Sequence, residues 1–187
     1  MLGDDGFRNW TEQAFVGKTI YTQLSEPDNG KIVRARSHSS ASGYFRKLRI
    51  DLATTPKLQW RWRIDNTFDN PGERTKAGDD YPARVYVVAK HPTWPWKRLS
   101  ICYVWSSGNQ KGADWPSPYT ADVRMVAVRA GRADIGAWQS EERDVRADFL
   151  QYLGHEIEAI EAVGIMSDTD DLKTTAESYY GPISFVP

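Results

Sequence analysis

The chain has 187 residues, 40% of them hydrophobic and 26% charged, which suits one domain with its own core over residues 1–187. Its 24 lysines and arginines are balanced by 25 aspartates and glutamates, so no net positive charge would attract nucleic acid or an anionic membrane. No stretch approaches the roughly 20 apolar residues that span a bilayer, and the segment Met1 to Trp10 does not resemble a signal peptide. We therefore expect a single domain with no nucleic-acid partner and no membrane span.

Apolar alternation and turn residues predict about nine short strands and one helix. The predicted strands cover residues 15–24, 31–37, 44–51, 58–65, 83–89, 99–106, 122–130, 160–166 and 178–186. The clearest alternation places Leu58, Trp60, Trp62 and Ile64 on one apolar face. Asp144 is a predicted helix N-cap. Many short strands with a single helix favour an all-β fold, a jelly-roll β-sandwich of two antiparallel sheets.

A group of charged residues lies around the predicted strand 83–89. Asp79 and Asp80 end a long polar loop just before this strand, on which Arg84 and Tyr86 share one face. If the polar strand faces meet on one sheet, they form a charged groove with the residues Arg61, Arg63, Asp168 and Asp170. Asp79 and Asp80 are candidate catalytic acids for sugar chemistry, and the arginines suit carboxylate or sulfate groups. The alternative is an ion-pair network that holds loops to the sheet.

Closely spaced acids between the last two predicted strands suggest a metal site. Asp168 and Asp170 offer the oxygen ligands that calcium prefers. The segment is not an EF-hand loop, because Lys173 and Tyr179 stand where that loop has Gly and Glu. A turn stabilised by its own Asp and Thr side chains is the alternative, and no other cofactor is expected.

The chain is rich in aromatic residues, with eight Trp and nine Tyr. The segment Trp94-Pro95-Trp96 and Trp115 lie in predicted loops, where their rings could stack on sugars, contact a protein partner or pack beneath the loops. The only cysteine, Cys102, lies in a predicted strand and is expected to be a buried, unreactive thiol.

Five segments resemble an uncharacterised bacterial family that is catalogued only as a domain of unknown function. They are Trp60-Arg61-Trp62-Arg63, Asp79-Asp80 with Ala83-Arg84-Val85-Tyr86, Tyr103-Val104-Trp105, Ser167-Asp168-Thr169-Asp170 and Tyr179-Tyr180-Gly181. The resemblance implies an exported or periplasmic protein with a jelly-roll fold like that of carbohydrate-binding modules. It implies no catalytic residues, and the chain departs from the family pattern at Asp171 and Leu172, where Asn and Thr are favoured.

These observations lead to three functional hypotheses. The first is a periplasmic or secreted module that binds a polysaccharide. In it, polar or acidic groups are held by Arg61, Arg63, Arg84 and Tyr86, and sugar rings stack on Tyr103, Trp105 or Trp94. The second is a hydrolase or lyase that cleaves polysaccharide with Asp79 or Asp80. The third is a protein-interaction module anchored by Trp94 to Trp96.

Overall fold

The computed structural model describes residues 7–187, so the first six residues of the predicted domain lie outside it. The described residues form one α-helix, α1 (Val145–Leu153), and thirteen strands. The strands are β1 (Thr11–Val16), β2 (Ile20–Glu26), β3 (Gly30–His38), β4 (Ala41–Asp51), β5 (Lys57–Ile64), β6 (Ala83–Lys90), β7 (Arg98–Ser106), β8 (Asp114–Pro116), β9 (Val123–Ala130), β10 (Gln139–Asp144), β11 (Ala159–Asp168), β12 (Thr175–Tyr180) and β13 (Ser184–Val186).

Two sheets pack face to face, which confirms the predicted jelly-roll β-sandwich. The seven-stranded sheet has the order β1-β4-β11-β6-β7-β9-β8. The six-stranded sheet has the order β10-β5-β12-β3-β2, with β13 also paired to β5. One detail of the prediction was wrong, because β7 and β9 pair in parallel. The long connection between them returns the chain to the same end of the sheet, which a parallel pair requires.

Strand boundaries differ from the prediction where the local pattern is weak. The predicted strand 15–24 divides into β1 and β2 at Gly17, whose φ of +59° lies in the left-handed region. Strand β10 was missed because its sequence, Gln-Ser-Glu-Glu-Arg-Asp, has no apolar alternation; its pairing with β5 defines it. Short strand β8 was also missed, and it lies between the predicted strands 99–106 and 122–130.

The core lies between the sheets and is dominated by aromatic rings. Trp60 and Trp62 of β5 are buried as predicted, and they face Tyr103 and Trp105 of β7 at ring-centroid distances of 5.3 and 5.8 Å. Such contacts add to the area these large side chains bury. The prediction that Tyr103 or Trp105 stacks on a sugar is therefore wrong, since both are completely buried.

Helix α1 begins at the predicted cap, Asp144. The Asp144 carboxylate accepts a hydrogen bond from the Ala147 N–H at 2.9 Å, and Gly154 ends the helix with a φ of +71°. Val145 and Phe149 bury its inner face against the core. Within residues 7–187, no helix is long and apolar enough to cross a bilayer.

Candidate functional site

The candidate site is a cavity on the outer face of the seven-stranded sheet. Val85 and Val87 of β6 point into the core, so the alternating residues Arg84 and Tyr86 point outward. The connections before β6 and after β7 border this face and leave a cavity of about 410 Å³. Its lining residues come from distant parts of the chain: Phe15, Val16, Ala41, Asp79, Arg84, Tyr86, Ser117, Tyr119, Thr120, Val123, Met125, Met166, Asp168, Asp170 and Asp171.

Arg84 lies beneath the cavity and is only 3% exposed. Its Nε donates to Asp168 Oδ1 at 2.8 Å, and its Nη2 donates to Asp168 Oδ2 and to the Asp79 carbonyl. Its Nη1 donates to Asp79 Oδ2 at 3.4 Å and to the Tyr86 hydroxyl at 3.2 Å. All five N–H groups are thereby used. Arg84 does not match its predicted role as a direct ligand contact; it positions Asp79, Asp168 and Tyr86.

The two candidate catalytic acids face different partners. The Asp80 carboxylate is fully buried and accepts hydrogen bonds from the backbone N–H groups of Asp171 at 3.2 Å and Leu172 at 2.6 Å. Asp79 is nearly buried, and its Oδ1 has no hydrogen-bond partner among the described residues. Burial raises the pKa of both carboxyl groups. Asp80 stabilises a loop, so the two acids do not form a pair across one substrate bond.

The acids that could hold a metal ion differ from the predicted pair. Both Asp168 oxygens are bonded to the Arg84 guanidinium, whose positive charge opposes a bound cation, so Asp168 does not match its predicted role as a calcium ligand. Asp170 instead groups with Asp80 and Asp171, whose carboxylate oxygens all lie within 4.8 Å of one another. Burial and the neighbouring carboxylates, Asp170 first, raise the pKa of Asp171 to about 6. Among residues 7–187, these three carboxylates form the group whose oxygen ligands suit a hard divalent cation.

The rim of the cavity is apolar and was not predicted from the sequence. Phe15, Val16 and Tyr119 are 56%, 47% and 58% exposed, although such side chains usually lie inside. The Lys76 ammonium lies 5.3 Å from the centre of the Tyr119 ring and helps to hold it. The only sequence signal for Tyr119 was an aromatic residue in a long loop.

The loop before β6 is held rigidly by two buried polar residues that sequence analysis also missed. The Glu73 carboxylate accepts hydrogen bonds from the Gly108 N–H at 3.0 Å and from Asn109 Nδ2 at 2.8 Å. Asn70 Nδ2 donates to the Gly78 carbonyl at 2.8 Å. The loops before β6 and after β7 are thus joined, which fixes the approach of Asp79 to the sheet.

The other predicted ligand residues lie elsewhere. Arg61 and Arg63 belong to β5 of the six-stranded sheet and point outward on the opposite side of the sandwich from Arg84, so the prediction of one shared groove was wrong. Trp94 and Trp96 are exposed at the turn after β6. Trp115 is buried, and its ring stacks on Tyr81 with centroids 6.4 Å apart.

Residues 8–184 match the family described as protein of unknown function (DUF3047). The chain belongs to this family. The match confirms the family resemblance read from the five segments and brings no assigned activity to the DUF3047 chain. A search of curated proteins found no match.

The solved structures that are similar to this DUF3047 chain include a carbohydrate-binding module and a cellulase. A carbohydrate-binding module from the β-sandwich superfamily is 11% identical, with a TM-score of 0.53 over 98% of this chain and 60% of that one. A cellulase derived from Cel12A of Rhodothermus marinus is 9% identical, with a TM-score of 0.52 over 97% of this chain and 93% of that one. The chain thus spans less than two thirds of the first structure. At these identities the likeness establishes the sandwich fold alone.

Proposed function

We propose that this DUF3047 chain binds carbohydrate in the cavity between Arg84 and Tyr119. The observation that carries the proposal is an exposed apolar rim, formed by Phe15, Val16 and Tyr119, above a floor of hydrogen-bonding carboxylates. Sugars have the matching chemistry, because their rings present apolar C–H faces and their hydroxyl groups donate hydrogen bonds. A cavity of this size with few convergent polar groups is typical of small-ligand sites.

Each part of the cavity has a separate role in this proposal. The Tyr119 ring packs on one face of a sugar, with Phe15 beside it. Asp79 and Asp170 accept hydrogen bonds from sugar hydroxyl groups, which would give the unpartnered Asp79 Oδ1 a partner. Because the Arg84 donors are already used and several acids line the cavity, we propose that it favours neutral over anionic sugars.

Thermal melting with a panel of neutral oligosaccharides tests the proposal, because a ligand that binds the native state raises Tm. For the best ligand, Tyr119→Ala should weaken binding roughly 5- to 30-fold, since ring contacts contribute about 1 to 2 kcal/mol. Tyr119→Phe should bind like the unmodified chain. Trp96→Ala, an equally drastic change at a residue 74% exposed and outside the cavity, is the matched control. Equal affinity in Tyr119→Ala would contradict the assignment.

We propose binding rather than cleavage because the Asp80 carboxylate already accepts hydrogen bonds from the backbone of residues 171–172. Retaining and inverting glycosidases each need two carboxyl groups placed across the scissile bond. Release of reducing ends or unsaturated products from any ligand in the panel would favour the enzyme hypothesis instead.

A protein-interaction function is a second candidate, favoured by one observation. Trp94 and Trp96 are 47% and 74% exposed, and their ring centroids lie 5.5 Å apart on the turn between β6 and β7. Exposed Trp residues are enriched among residues that dominate binding energy at interfaces. Loss of a stoichiometric, co-purifying protein in Trp94→Ala/Trp96→Ala would support this function, and retention of that protein would contradict it.

We further propose that the protein acts in the periplasm or after secretion. Support comes from the proposed ligand, since polysaccharides occur mainly at cell surfaces and in extracellular matrices, and from the exported proteins that the family resemblance implies. Fractionation of cells that express the full-length gene tests this, and recovery of the protein only with cytoplasmic markers would contradict it.

A further inference from the structure

The outer face of the six-stranded sheet presents arginines against aromatic rings. The Arg63 guanidinium carbon lies 3.8 Å from the centre of the Tyr179 ring, and it lies 5.8 Å from that of Trp138. The Arg61 guanidinium carbon lies 5.5 Å from the same Trp138 ring. Contacts of this kind hold a guanidinium group in place without using its N–H groups.

A third arginine belongs to the same face. In the register of the sheet, Tyr179 of β12 lies between Arg63 of β5 and Arg34 of β3. Arg61 precedes Arg63 by two residues and therefore shares its face. Strand spacings of about 4.8 Å and a rise of about 3.4 Å per residue place the three arginine Cα atoms within roughly 12 Å of one another.

These arginines keep free hydrogen-bond donors. Within residues 7–187, Arg34 and Arg61 form no ion pair with a carboxylate, and Arg34 Nε is buried without a partner. Arg63 uses only its Nε, on Asp65 Oδ1 at 3.1 Å. Arg84 differs completely, because all of its donors are used. Free guanidinium N–H groups match the two oxygens of a carboxylate or a sulfate.

We propose that Arg34, Arg61 and Arg63 form a second site that binds a carboxylated or sulfated polysaccharide. The site is independent of the cavity at Tyr119, because it lies on the other sheet and binds anionic rather than neutral ligands. Its rings and arginines contact sugar faces and acidic groups, respectively.

The neighbouring charges favour a polysaccharide over nucleic acid. Glu177 lies two residues from Tyr179 on the same face of β12, and Asp65 lies beside it. Duplex DNA carries a charge about every 1.7 Å along its axis, so its phosphates would meet both carboxylates. A polysaccharide has more widely spaced acidic groups, and its hydroxyl groups can donate to Glu177 and Asp65 between them.

Calorimetric titration of the full chain with polygalacturonate and heparin oligosaccharides tests the proposal. We expect binding that weakens with added salt, and a loss of about tenfold in affinity in each of Arg34→Gln and Arg61→Gln. Arg36→Gln is the matched control, because Arg36 lies on the same face of β3 but pairs with Glu177 at 3.5 Å. The affinity of Arg36→Gln for the acidic polysaccharides should change less than about twofold. Melting curves verify that each variant is folded.

Three outcomes would overturn the proposal. The first is that neither acidic polysaccharide binds. The second is an equal loss of affinity in Arg36→Gln, which would indicate unspecific charge attraction. The third is tighter binding of duplex DNA that depends in the same way on Arg34 and Arg61. Tyr119→Ala separates the two sites, since it should leave acidic polysaccharide binding unchanged. Arg61→Gln should likewise leave neutral sugar binding unchanged.

Discussion

Replacing Arg84 with methionine should strongly destabilise the fold. The Arg84 side chain is 3% exposed, and it contacts the side chains of Asp168 and Asp79, which are 3% and 10% exposed. Methionine keeps much of the length but removes the charge and every donor, which leaves two buried carboxylates without a cation. Breaking a buried ion pair from one side costs about 3 to 5 kcal/mol. For a domain of this size, that corresponds to a fall in Tm of roughly 6 to 20 °C.

The pH dependence of this loss has a definite sign. Burial raises the pKa of Asp168, and Arg84 opposes that rise, so removing Arg84 raises the pKa further. At a pH between the Asp168 pKa of the unfolded chain and the higher Asp168 pKa of the native variant, the native variant binds more protons than its unfolded state. Its free energy of unfolding must therefore fall as pH rises through that range. Adding Asp168→Asn should remove most of this dependence and recover part of the stability.

Urea unfolding, followed by fluorescence of the abundant Trp residues, measures these effects. Arg124→Met is the control, because Arg124 pairs with Asp114 at about 30% exposure for both side chains and should contribute less than about 1 kcal/mol. A loss below about 1 kcal/mol in Arg84→Met, or no recovery in the double variant, would refute the structural role of Arg84.

Three further predictions concern other parts of the molecule. Burial, His155 and Lys97 lower the pKa of His91, whose Nδ1 accepts hydrogen bonds from two backbone N–H groups at 3.1 Å. The free energy of unfolding should therefore fall as pH drops through about 6.5. In His91→Asn, the urea midpoint should fall less over the same pH range. Equal falls would contradict this. Gly164→Ala should lower the free energy of unfolding by about 1 to 3 kcal/mol, because the new Cβ would lie 2.2 Å from the Phe45 ring. Adding Phe45→Leu, which places a smaller side chain there, should restore part of the lost Tm in thermal melting. Burial raises the pKa of Cys102 to about 12, so a thiol reagent should modify it only at the rate of global unfolding, and rapid modification of the native protein would disprove this.

Much of the secondary structure follows from local sequence patterns. The alternation from Leu58 to Ile64 places its apolar residues in the core, and the Asp144 cap begins the helix, because period and capping act over a few residues. Strand β7 is different. It is buried on both faces, so alternation could not show that Tyr103 and Trp105 point into the core.

Sheet membership and the composition of the site depend on tertiary structure. Local patterns indicated that Arg61, Arg63 and Arg84 leave the core, but the sheet to which each strand belongs decides on which side of the sandwich they emerge. Arg84 and Asp168 meet across 84 residues, and the cavity brings Phe15 beside Tyr119. The sequence determines which side chains alternate and where turns fall. Strand order and loop packing alone determine which distant side chains meet, because that depends on the combined burial of many residues rather than on near neighbours.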